Sequence, residues 1–238
     1  MATEIPGSAD PARSMALLWR TPSQPGRRPG PKPSLDVGRI VEAGVRLVDA
    51  DGLAALSMRR VAAGLGVATM TLYSHVPGKR ELLDLMLDSA LGELYPDEQS
   101  VTAGNWRPRL DAVARANRAF FLRHPWALQV TTDHPPPGPN LMRKYEIELR
   151  AVDGLGLSEV QMDLLVTHLN GFVRGTVGGA REPFAGQLID VDRFPTAARV
   201  GPVADQELRS ATSAERSFEF GLERLLDGVG VLILNPGR

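Results

Sequence analysis

Four histidines, at 75, 124, 134 and 168, stand too far apart in the chain to suggest a metal site, and cysteine is absent. No Walker-type loop and no Gly-x-Ser-x-Gly elbow occurs. Gly64-Leu65-Gly66 lacks the third glycine and the preceding strand of a nucleotide cradle. The sequence therefore predicts no enzyme, no cofactor and no metal. The side chains that do cluster lie in residues 57–83, SMRRVAAGLGVATMTLYSHVPGKRELL. Thr69, Met70 and Thr71 are compact or adaptable, and offer hydroxyls and an apolar surface for a thymine methyl. Tyr73, Ser74, His75 and Lys79 are donors suited to phosphate oxygens. Arg59 can form a bidentate pair with guanine O6 and N7. Arg59 and Arg60 cannot both point the same way, and the sequence leaves open which one does. Each of these residues also has a plainer role: Tyr73 as cover for a small core, Met70 as core filler, His75 as a solvated surface group.

Short helices must position these groups. Val37, Ile40, Val41, Val45 and Val48 recur at three- and four-residue spacing, one stripe of an amphipathic helix. Ser34 is its expected cap, and Gly52 its end. Ser57 caps a second helix that buries Val61, Ala62 and Leu65. Gly66 turns the chain into a third helix around Thr69–His75, with Leu72 and Val76 facing inward. A fourth helix runs from near Gly78 until Pro96 stops it. Helix, tight turn with glycine, helix is the layout that lays a second helix in the major groove. Further helices are predicted at Trp106–Arg123, Leu141–Val152, Ser158–Arg181 and Asp205–Val229, with an irregular loop over Glu182–Ala204. No strand alternation occurs. The predicted fold is all-α: a three-helix helix-turn-helix domain joined to a larger C-terminal helical bundle.

Charge divides along the chain in the same way. Residues 1–80 carry eleven Lys/Arg against six Asp/Glu, a balance of +5, and residues 81–238 a balance of −6. A basic front end on an acidic body suits a polyanion partner confined to one region. Seven prolines lie in residues 1–33, which predicts an extended basic arm able to place Arg27 and Arg28 on phosphates or in a minor groove. The expected organisation is an arm over 1–33, a DNA-binding domain over 34–95 and a helical domain over 104–238. No apolar stretch is long enough for a membrane span, and no secretory signal is evident, so a cytoplasmic protein is expected.

Leu65-Gly66-Val67, then Leu72-Tyr73 and His75, then Lys79 opening a leucine-rich helix, resemble the DNA-binding signature of the tetracycline-repressor (TetR) family over residues 36–94. The stretch 218–228, FEFGLERLLDG, is similar to the last helix of one C-terminal class in that family. Gly171, Gly175 and Gly179 repeat every four residues. At about 1 kcal/mol per helical glycine, close packing must offset them, within one subunit or between two. The resemblance implies the latter, a four-helix dimer interface that would also use Phe218, Leu222 and Leu225. Asn117, Phe121, His124, Trp126, Tyr145, His168 and Phe172 are candidates to line a pocket between helices, although a histidine on an apolar face is more often a satisfied core residue. The expected partners are a double-stranded, (pseudo)palindromic DNA operator, an unidentified small-molecule effector and a second copy of the chain. Release from the operator by the effector makes a repressor. An activator or a ligand-independent DNA-binding protein is the alternative.

Overall fold

A computed structural model describes residues 11–20, 35–130, 135–178, 190–208 and 213–235. Among them there is no strand, and no helix is long and apolar enough to cross a membrane. The chain divides into two compact units, residues 1–103 with 119–151, and residues 104–118 with 152–238.

The first unit holds α1 (Pro11–Leu18), α2 (Val37–Asp51), a single 3-10 turn (Leu53–Ala55), α3 (Met58–Leu65), α4 (Thr69–Tyr73), α5 (Lys79–Leu91), α6 (Gln99–Thr102), α8 (Pro125–Val130) and α9 (Pro139–Arg150). The start of α7 (Trp106–Arg123) belongs to the second unit and its last turn to the first. The stripe foreseen on α2 is buried at Ile40, Val41 and Val48, against α5 and α3. Its cap is Asp36, whose carboxylate accepts from the Arg39 N–H at 2.9 Å. Ser34, the expected cap, lies outside the described residues.

Part of the expected arm is a helix. Pro11 occupies the first helical position, where its missing N–H costs nothing. The seven residues after it contain no proline, and α1 packs on α5. Ser14 donates to the buried Asp84 carboxylate at 2.6 Å, Leu18 is buried, and the Trp19 indole donates to the Pro137 carbonyl at 2.9 Å. A second buried carboxylate on α5, Asp88, accepts from the backbone N–H groups of Asn140 and Leu141, and so caps α9. Burial raises the Asp88 carboxyl above its ordinary value, against those hydrogen bonds.

The second unit holds most of α7, α10 (Glu159–Gly178), α11 (Pro195–Leu208) and α12 (Ser213–Leu234). α12 receives α10 and α11. Two expectations are corrected here. The loop foreseen up to Ala204 contains α11, and the single last helix foreseen from Asp205 is the end of α11 followed by α12. Pro202 sits inside α11; it removes one hydrogen bond without ending the helix, although as sequence it reads as a break.

Candidate nucleic-acid interface

Ser57 caps α3 by accepting from the Arg60 N–H at 3.2 Å. Gly66 closes the helix in the left-handed conformation, φ 69°, where a side chain would be strained, and its N–H returns to Ala62 and Ala63. The chain then turns directly into α4. Leu72 and Val76 are fully buried and fasten this helix to its partner. On the opposite side Met70 is 76% exposed, and Tyr73 is 43% exposed. Ala68, Thr71 and Ser74 are exposed, Thr69 half-buried. The Ser74 hydroxyl donates to the Thr71 carbonyl at 2.7 Å. His75 and Lys79 are half-buried at the following turn and the start of α5. Arg60 is engaged by Asp51 at 2.6 Å and reaches the Ala55 carbonyl, whereas Arg59 is exposed beside it. Arg27 and Arg28 lie outside the described residues.

Four of the pocket candidates belong to the first unit. Phe121, His124 and Trp126 are buried, Tyr145 half-buried. His124 meets Asp49 of α2 through Nδ1 at 2.9 Å, and Glu93, just past α5, through Nε2 at 3.3 Å. The Trp126 indole donates to the same Asp49 oxygen at 2.7 Å. These two side chains thus tie α8 and the residue before it to α2 and to the chain just past the end of α5. A polar cluster that sequence reasoning missed lies nearby in the chain. Tyr95, the one non-glycine residue with positive φ among those described (56°), donates its hydroxyl to the fully buried Glu148 at 2.5 Å. Lys144 pairs with Glu148 at 2.7 Å. The four-residue spacing of Lys144 and Glu148 on α9 was the only signal for this cluster in the sequence.

Residues 40–86 match the model of the bacterial regulatory proteins of the tetR family, and residues 100–233 match the tetracyclin repressor-like C-terminal domain. The chain belongs to the TetR family. The transcriptional repressor DrrR1 of Streptomyces coeruleorubidus is 38% identical, over 98% of this chain and 90% of that protein. The class E tetracycline repressor of Escherichia coli is 26% identical, over 82% and 90%. The crystal structure of ActR from Streptomyces coelicolor with (S)-DNPA superposes with a TM-score of 0.71 at 30% identity, covering 86% of this chain and all of that one. ActR bound to actinorhodin gives 0.70, also at 30% identity, over 83% and 96%. This TetR-family chain is a DNA-binding regulator and not an enzyme.

In the second unit of this TetR-family member, Phe218 and Leu222 of α12 are buried. Phe218 stacks on Phe172 with centroids 5.7 Å apart, under the guanidinium of Arg118. The glycine that lets α10 and α12 approach is Gly221, where a side chain would run into the Phe172 ring. A Cβ at Gly171 or Gly175 would meet open space; Gly179 lies outside the described residues. Leu225 is half-buried. Asn117 is buried, its amide donating to the Val113 carbonyl at 3.0 Å, and His168 is exposed with Nδ1 at 2.6 Å from the Leu164 carbonyl. Beside Phe218, Arg115 holds Asp111 and Glu219, and Arg107 holds Asp227. The hydrogen bonds from Arg115 lower the Glu219 carboxyl, and those from Arg107 lower that of Asp227.

Proposed function

We propose that this protein is a cytoplasmic homodimeric repressor that a small molecule releases from a (pseudo)palindromic operator. The observation that carries it is α4: a short helix fastened by Leu72 and Val76, with Met70, Thr71 and Tyr73 presented outward. Arg59 supplies the guanidinium for a guanine, since Arg60 is engaged with Asp51. The likeness to DrrR1, named a repressor, and to ActR, solved with actinorhodin, supports repression and release by a small molecule.

The dimer forms on the outer face of α10. Leu164, His168, Gly171 and Gly175 follow a four-three-four spacing, with open space at both glycines, and a second helix fits close against such a face. Two copies then present two α4 helices to half-sites about one helical turn, roughly 34–36 Å, apart. A ligand that binds better to the dimer with misspaced α4 helices lowers operator affinity by that difference.

The test is anisotropy with the DNA upstream of the protein's own gene, across a salt series, with scrambled DNA as control. Specific binding that falls steeply with salt is expected. Arg59→Ala should cost about 1–3 kcal/mol and relax one position of the site. Equal affinity for scrambled DNA rejects the proposal. Gly175→Arg should yield monomers by light scattering and weaken operator binding; dimers that bind unchanged would place the interface elsewhere.

A further inference from the structure

The outward chemistry of α4 narrows which bases it can read. At about 100° per residue, Met70 and Ser74 lie about 200° from the buried Leu72, directly opposite the core, while Thr71 and Tyr73 flank them. Met70 is the most exposed of these apolar side chains, at 76%. The Ser74 hydroxyl donates to the Thr71 carbonyl. Ala68, which precedes the helix, adds only a methyl. The five residues of α4, Thr-Met-Thr-Leu-Tyr, include no Arg, Lys, Asn or Gln. The bidentate pairs that identify guanine or adenine in the major groove therefore cannot come from this helix. Threonine hydroxyls bond to either kind of base edge and discriminate weakly. What remains is apolar contact, and the one large apolar feature in the major groove is the C5-methyl of thymine.

Resting on the DNA-binding reading above, we infer that α4 reads its half-site through thymine methyl groups, with Met70 as the specificity-determining side chain. The bases beneath α4 are T·A pairs, and guanine selection falls to Arg59 of α3. Each methyl read in this way is a methylene-sized transfer from water, worth about a fourfold change in affinity.

The test starts from a pool of random 30-base-pair duplexes selected on the full-length protein. The enriched half-site is then resynthesised with deoxyuridine in place of thymidine, one position at a time, which removes only the methyl. Wild-type protein should lose about fourfold at one or two positions. Met70→Ala should bind the thymine site more weakly and be indifferent to uridine at those positions. Replacing the same T·A pair by C·G should lower affinity, and 5-methylcytosine in place of that cytosine should recover part of it. Arg59→Ala should keep the uridine effect while losing selectivity at a guanine. A G·C-rich register beneath α4, or thymine sites that tolerate uridine in the wild type, overturns methyl readout while leaving sequence-specific binding intact. Failure to enrich any sequence overturns the DNA-binding reading itself.

Discussion

Tyr95 combines two unusual properties. Its backbone is left-handed, which costs a bulky residue on the order of 1–3 kcal/mol, and its hydroxyl is held by a carboxylate that water does not reach. The Tyr95 hydroxyl and the Lys144 ammonium both engage the Glu148 carboxylate. Tyr95→Phe should lower stability by about 1–3 kcal/mol in urea denaturation, because a buried acceptor loses a donor. Lys144→Met should cost more, about 3–5 kcal/mol, since it removes a cation that pairs with a buried carboxylate. The double variant should cost less than the two combined, as expected for residues that share one partner. Additive losses would show that Tyr95 and Lys144 support Glu148 independently.

At the scale of elements, α10 and α12 meet where Gly221 receives the Phe172 ring. Gly221→Ala should displace that ring and cost about 1–3 kcal/mol as an overpacked contact, read as a lower urea midpoint. α7 and α12 are also joined by ion pairs of Arg115 and Arg107 with partly exposed carboxylates. The Glu219 and Asp227 carboxyls are lowered in the folded protein, so their contribution is present above the ordinary carboxylate range near pH 4 and is lost as pH falls through the depressed values. Melting temperature should fall in acid, and less so in Arg115→Ala or in high salt; an unchanged acid limb in that variant would count against the pairing. Helices of this kind were legible where apolar spacing is unbroken, as on α2 and at Leu72 and Val76. α1 and α11 were not, because prolines at their edges and interior look like breaks when the partner surface is unknown. The ties of His124 to Asp49 and Glu93 span 75 and 31 residues of sequence, and no local pattern encodes a pairing at that distance. Phe218 and Leu222 lie on an apolar face that helical spacing shows, but periodicity cannot say whether such a face meets its own chain or another.

Across the whole molecule, the first unit does not stop at α5. Asp49 receives both His124 and Trp126, so α2 is fastened to segments that follow it by some 75 residues. Local opening of α2 therefore requires those ties to part. Hydrogen exchange should show faster exchange of α2 amides in Asp49→Ala and in His124→Ala, with α10 and α12 protected as in the wild type. Acceleration confined to α8 would mean that the carboxylate serves α8 alone.

The exposure of Met70 carries a chemical liability. A thioether standing 76% free in solvent is within reach of peroxide, and its sulfoxide is polar where the thioether is not. Mild oxidation should blunt the affinity of the protein for its DNA, methionine sulfoxide reductase should restore it, and Met70→Leu should withstand the treatment. Under the methyl readout inferred above, oxidation of Met70 would loosen the protein from its operator.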